Sequence, residues 1–344
     1  MKKKLALALA AAMMLTVALT GCGAKEEPAP APAPAPEAPA TSEPAPAPAE
    51  KLDIVLATGS TSANYYAVGG VMSTVLNDKL TLSNITVTST GASKANVQLL
   101  QDNEANFAIL QNDVAYYAST GTDLFEGEDA YTEWGALTAL YDEVVQVFTL
   151  DSNIKTFSDL KGKTVSVGAA GSGDNFAAGQ IFAEFGMEFS DCNAVFQSYS
   201  DSAEGMKDGK IDAAFCVSGA PTTALVDLAA TAGKPLNIIT LEDEHIEGLM
   251  ADYPFYAKTV IPAGTYDKQT EDITTVAIRA MLVARADVSA DVVYELMANM
   301  FDNLDALAAG HAKFANLSLE TAKDGVSIAY HPGAEKFLKE KGAI

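Results

Sequence analysis

From residue 52 onward, short runs of β-branched and apolar residues alternate with segments of helical periodicity, and the junctions are rich in Gly, Ser and Thr. The apolar runs fall at residues 53–57, 85–88, 107–110, 144–150, 164–168 and 213–217, with helical patterns at 65–76, from about 93, and at 175–185. Alternation of this kind means βαβ units, so the predicted fold class is α/β with a largely parallel sheet. The length leaves room for two such sheets. After residue 272 the sequence changes to long helical patterns through residue 309, clearest at 291–304.

The first 50 residues cannot belong to that core. Met1-Lys2-Lys3-Lys4 precedes an apolar stretch at residues 5–19 that ends in Leu19-Thr20-Gly21-Cys22. The stretch is too short to span a bilayer and has small residues at its end, which reads as a secretory signal. The terminal tetrad resembles a bacterial lipoprotein signal, which implies cleavage of residues 1–21 and acylation of Cys22. Residues 25–50 hold nine of the fourteen prolines, mostly alternating with Ala, so residues 22–50 are expected to form an extended tether.

Charge and cysteine content narrow the function classes. With Lys+Arg 22 against Asp+Glu 45, the formal net charge is −23, and no basic surface is available to neutralise phosphates, so nucleic acid is excluded as a partner. Arg279 and Arg285 are the only arginines, which confines a bidentate clamp on a carboxylate or phosphate to one C-terminal segment. Cys22, Cys192 and Cys216 are too few for a disulfide framework, and Cys216 in an apolar run is read as a free, buried thiol.

Three loops follow predicted strands and lead into predicted helices. They contain Gly59, Ser60, Thr61, Asn64, Tyr65 and Tyr66; Gly171, Ser172, Gly173, Asp174 and Asn175; and Ser218 and Gly219. Ligands of open α/β sheets bind outside the carboxyl ends of strands, where helix N-termini and hydroxyls can hold an anion without a formal positive charge. Gln111 directly follows a strand and joins these candidates, whereas Tyr116-Tyr117 and the aromatic cluster at residues 253–256 read as core.

Enzyme signatures fail on spacing. Ser172 has Ala170 two residues before it and Asp174 two residues after it, where a nucleophile elbow has glycines, Gly162-Lys163-Thr164 leads into a strand and lacks the earlier glycine of a phosphate loop, and His245, His311 and His331 stand far apart. No catalytic residue, metal or cofactor is expected.

Further stretches carry a resemblance. They are Gly59-Ser60-Thr61 with Tyr65-Tyr66-Ala67-Val68-Gly69-Gly70, Leu110-Gln111-Asn112-Asp113-Val114-Ala115-Tyr116-Tyr117, and Asp159-Leu160-Lys161-Gly162-Lys163 with Gly171-Ser172-Gly173. To these add Asp208-Gly209-Lys210-Ile211-Asp212, Ile261-Pro262-Ala263-Gly264-Thr265-Tyr266 and His331-Pro332-Gly333-Ala334. Together they resemble the solute-binding receptors of TAXI-type TRAP transporters over nearly all of the globular chain. The resemblance implies a two-lobed periplasmic-binding-protein-like fold (type II, Venus flytrap) with a hinge between lobes. It also implies a small organic acid or amino acid as ligand, in the manner of glutamate, glutamine or 2-oxoglutarate, and a TRAP membrane permease as partner. The chain departs from the family pattern at Asp174-Asn175 and at Ser62-Ala63-Asn64. A carboxylate at Asp174 would repel an anion, which favours an amino acid over a simple dicarboxylate.

The expected organisation is therefore an exported receptor, lipid-anchored to the outer face of the cytoplasmic membrane. Lobe 1 would comprise residues 51–143 and 257–344, and lobe 2 residues 144–256, with crossings near Val144 and Tyr256. A cell-surface enzyme or a sensory lipoprotein using the same cleft are the alternatives.

Overall fold

The computed structural model describes residues 51–344, so the signal segment, Cys22 and the tether lie outside the described residues. In chain order the first elements are β1 (Leu52–Ala57), α1 (Asn64–Leu76), β2 (Ser83–Thr88), α2 (Ser93–Gln101), β3 (Phe107–Gln111), α3 (Asn112–Thr120) and β4 (Trp134–Thr149). There follow β5 (Thr164–Ser166), α4 (Gly173–Glu184), β6 (Asn193–Val195), α5 (Tyr199–Lys207), β7 (Ala213–Ser218), α6 (Thr223–Thr231), β8 (Asn237–Ile238), α7 (Asp243–Asp252) and β9 (Ala257–Ile261). The chain ends with β10 (Ile273–Arg285), α8 (Ala290–Asp302), α9 (Leu304–Gly310) and α10 (Pro332–Glu340). Among the described residues no helix is long and apolar enough to cross a membrane.

The strands form one hydrogen-bonded sheet in the order β2-β1-β3-β10-β4-β7-β5-β6, with β8 on β4 and β9 on β10. β1, β2 and β3 pair in parallel, as do β5, β6 and β7, but β4 and β10 run antiparallel to every neighbour. The expectation of a largely parallel arrangement in two sheets is thus corrected: two parallel groups are welded into one mixed sheet by two long antiparallel strands. β4 changes its outer partner at Val144, where pairing with β7 begins. β10 pairs with β9 up to Ala277 and with β3 from Ala280, and its register against β4 shifts between Ala280 and Met281. The return crossing accordingly lies in β10, later than the Tyr256 expected from sequence, because β9 and its Ile261 belong to the second strand group.

Reading residues 273–285 as helical is also corrected. In β10, Ala280, Leu282 and Ala284 face the apolar cluster formed with α1, α8 and α10, while Met281 and Val283 face the cluster formed with α2 and α3. Before the crossing, Val276 and Ile278 face the side covered by α4 and α7, and Ala277 the side covered by α5 and α6. A strand buried on both faces has no polar alternation, and periodicity alone cannot tell it from a buried helix.

The two arginines are spent on structure. Arg279 faces Asp142 across the β4–β10 pair and ion-pairs with it at 3.1 Å and with Asp324 at 3.6 Å; Arg285 pairs with Asp287. Cys192 and Cys216 are both free thiols, the latter buried. His331 is buried, accepts the Gly333 N–H at Nδ1 to cap α10, and lies 3.0 Å from the Val288 carbonyl through Nε2.

The C-terminal segment docks on β4 by backbone contact: Ala136 N–H donates to Ala329 O and His331 N–H to Ala136 O. At Gly135 a Cβ would fall 2.5 Å from His331 N and 2.6 Å from its Cα. Backbone cannot swing aside as a flexible side chain would, so Gly135→Ala is expected to cost about 2–3 kcal/mol. Chemical denaturation reads this as a lower midpoint; an unchanged midpoint would show that the segment is not held there.

Candidate functional site

A cavity opens between the two parallel strand groups. Its walls come from the carboxyl ends of six parallel strands: the loops after β1 and β2, the end of β3, the loops after β5 and β6, and the end of β7. This is where an open α/β sheet presents helix N-termini. Glu143 of β4 forms part of the lining, next to the residue at which β4 changes partner.

Of the sequence-predicted residues, Gly59, Ser60, Tyr65, Gln111, Ser172, Asp174 and Ser218 line the cavity. Thr61, Asn64, Tyr66, Gly173, Asn175 and Gly219 do not, and several of these hold the two strand groups together. Asn64, buried, donates through Nδ2 to Ser218 Oγ at 3.1 Å and to Gly219 O at 2.6 Å. Gly173 lies against Gln111 and Ser93: a Cβ there would fall 1.8 Å from Gln111 Oε1 and 3.1 Å from Ser93 Oγ. Asn175 ties its own loop, donating to Val167 O at 3.1 Å, with its N–H on Ser172 Oγ. Thr61 is exposed and Tyr66 half-buried, both outside the cavity lining. Tyr117 is buried and packs with Phe255 and Phe176, in agreement with its reading as core, whereas Tyr116 touches Phe255 but is 41% exposed, so reading it as core is corrected.

The charged centre of the cavity was missed. Glu143 is 2% exposed and accepts at Oε2 from Tyr65 Oη (2.7 Å) and Gln111 Nε2 (3.1 Å). The sequence reading began the apolar run at residue 144, ten positions after the start of β4, and so never saw a carboxylate inside the strand. Tyr199 was also missed; its hydroxyl reaches Asp174 Oδ2 and lies 3.0 Å from Val217 O. The signal was present as Ser198 three residues before Asp201, a capping pattern that the structure realises with Asp201 N–H on Ser198 Oγ. Ser93 follows a Gly/Ser/Thr-rich loop of the same kind as the three that were chosen.

No Lys, Arg or His lines the cavity. Burial is the main reason the Glu143 carboxyl is pushed up to about 8, with the Asp174 charge adding to it against the hydrogen bonds from Tyr65 and Gln111. Burial likewise lifts Asp174 to about 7, opposed by Tyr199. The Tyr199 phenol has one proton for two acceptors, so a protonated Asp174 can donate to the phenol while the phenol donates to Val217 O. For anions the cavity offers helix N-termini. The N-caps of α1 and α2 are Ala63 and Ala92, which supply no side-chain acceptor, and both line the cavity. Ala92 holds φ 70°, a conformation that glycine favours, with its N–H on Thr90 Oγ1 at 3.0 Å. Behind it the buried Asn96 donates to Thr58 O and Ile109 O, so one amide pins the loops around β1, β2 and β3.

The direction of the pH effect follows from the raised values. Glu143 and Asp174 titrate in the folded chain above their ordinary 4.5 and 3.8, so the folded state holds more protons than the unfolded one between those values and about 8. Stability therefore declines as pH rises from about 5 to about 8 and levels off above. Glu143→Gln removes the larger contribution, and its thermal midpoint is expected to match that of the unsubstituted chain near pH 5 and exceed it at pH 8, by on the order of 1–3 kcal/mol. Parallel melting curves across this range would disprove the assignment.

Solved structures share this fold. PhnD1 from Prochlorococcus marinus (MIT 9301), solved in complex with methylphosphonate, is 13% identical with a TM-score of 0.54, covering 85% of this chain and 99% of that one. A protein from Bordetella bronchiseptica RB50 is 15% identical with a TM-score of 0.51, covering 86% and 90%. The periplasmic aliphatic sulphonate binding protein SsuA from Escherichia coli is 14% identical with a TM-score of 0.43, covering 84% of each chain. The α/β fold is periplasmic-binding-protein-like, as expected. The sequence match to the NMT1-like family runs over residues 56–342, nearly the whole described chain, and the protein belongs to that family.

Proposed function

We propose that the chain is an extracytoplasmic solute-binding receptor of a transporter, and specifically the capture component of a TAXI-type TRAP system. In this reading the two strand groups with their helices are lobes that close by bending where β4 and β10 cross between them. A small carboxylate-bearing solute of the glutamate, glutamine or 2-oxoglutarate class sits in the cleft and is passed to a membrane permease. The observation that carries it is the cavity itself, walled by strand-end loops of both groups. The groups are latched across it by hydrogen bonds: the neutral Asn64 amide to Ser218 and Gly219, and the Lys313 ammonium to Ala220 O. The Asn64 contacts can open and reform without stranding a buried charge. Cys22 and the Pro/Ala tether, outside the described residues, supply the lipid anchor and the reach in this proposal.

Binding rather than turnover is favoured by the state of the cavity serines. Ser172 and Ser198 cap α4 and α5, and Ser218 accepts from Asn64, so these hydroxyls are engaged in structure and no histidine of the lining faces them. PhnD1 holds methylphosphonate. Here, with two carboxyl groups and no cation in the lining, a phosphonate dianion is the less suited ligand.

A thermal-shift series on the purified protein tests the receptor. L-Glutamate, L-glutamine or 2-oxoglutarate is expected to raise the melting temperature saturably, by about 2.7 kcal/mol of added stability at a hundred times Kd. No shift from amino acids, dicarboxylates, 2-oxo acids or phosphonates would refute it. Gly173→Ala is expected to weaken the same binding about tenfold or more, since its methyl would push Gln111 off Glu143 as the lobes meet. Unchanged affinity in that variant would mean that the lobes do not close on this contact.

A further inference from the structure

The polar chemistry of the cavity is oddly one-sided for a site expected to hold a carboxylate. Glu143 receives both of its hydrogen bonds at Oε2, and neither goes to Oε1. Gln111, 2% exposed, leaves its Oε1 buried with no partner. Asp174 adds a second carboxyl group to the same lining. An unpartnered buried acceptor has a desolvation cost that persists unless something donates to it. Two carboxyl groups and a free amide oxygen, with no cation in the lining, are therefore short of a donor that carries positive charge.

Resting on the receptor reading, we propose that Glu143, Gln111 Oε1 and Asp174 form a subsite for the protonated amino group of the solute, so that the ligand is a zwitterion. Its carboxylate takes the uncapped N-termini of α1 and α2 at Ala63 and Ala92. An ammonium has three donors and one positive charge, which matches three acceptors set in a low-dielectric pocket. Around Glu143 the facing ionisable groups are Tyr65 from α1, Asp113 from α3, Asp174 from α4, Tyr199 from α5 and Tyr141 from β4 itself. The nearby cation is Lys313, engaged with Ala220 O and absent from the cavity lining. None of these supplies the missing positive charge, so the solute must bring it. Because the carboxyl groups are held partly protonated when the site is empty, an arriving ammonium displaces protons into solvent, and affinity for a zwitterion rises with pH between about 6 and 8.

Isothermal titration calorimetry on the whole purified chain tests this with matched pairs that differ only in ammonium against ketone: L-glutamate and 2-oxoglutarate, L-alanine and pyruvate, L-leucine and 4-methyl-2-oxopentanoate. One amino acid is expected to bind about tenfold or more tighter than its 2-oxo partner, with proton release and with tighter binding at pH 8 than at pH 6. Glu143→Gln is expected to bring that ratio close to one while the melting curve at pH 5 stays in place. Asp174→Asn is expected to narrow it as well, and decides the matter if the first variant does not fold. A 2-oxo acid binding as tightly as its amino acid, or a ratio untouched by the substitutions, would overturn the ammonium subsite and leave the receptor standing. Saturable binding by no member of the panel, with methylphosphonate included, would overturn both.

Discussion

The antiparallel pairing of β4 with β10 is the constraint on which the rest of this structure depends. The two strands run through both parallel groups, and each changes its outer partner near the same level, at Val144 in β4 and between Ala277 and Ala280 in β10. Everything that meets at the cavity is carried by one group or the other. A register shift in the pair, next to the Arg279–Asp142 ion pair, bends the sheet at this level. The ion pair is partly exposed and adds little stability by itself; its use is to hold register where the strands trade neighbours.

Glu143 stands immediately beside that crossing. In the proposed receptor, a group on a strand shared by both groups that also lines the cavity would link occupancy to closure, because whatever satisfies its carboxylate acts on the segment between the groups. Burial raises its proton affinity, and Tyr65 and Gln111 orient it from the first strand group. Asp174, supported by Tyr199, faces it from the second. The same arrangement that makes the deprotonated carboxyl groups costly at high pH is the one the proposed ammonium subsite would use.

Much of the α/β framework was legible residue by residue. The runs at 53–57, 107–110 and 213–217 became β1, β3 and β7, and the polar loops after β1 and β5 reached the cavity, because strand-end loops leading into helices carry a compositional mark. β10 was not legible, since both of its faces are buried and its alternation is hidden. Glu143 was lost with the early part of β4, where a charged pair at residues 142–143 looks like the end of a loop although one of the two is exposed and the other enclosed. Asn64 was picked out as a ligand contact and instead bridges to Ser218 and Gly219, a partnership across 154 residues of sequence that no local pattern records.

Sequence alone determined the class of fold and the loops from which a binding site could be made, because these follow from periodicity and turn chemistry, both properties of neighbouring residues. Only the tertiary structure decided that two parallel groups share one sheet, that both arginines are tied to aspartates outside the cavity, and that Glu143 and Asp174 share a pocket without a cation. Those outcomes depend on which distant strands pair and on which side chains burial strips of water, and neither is written in any short stretch of the chain.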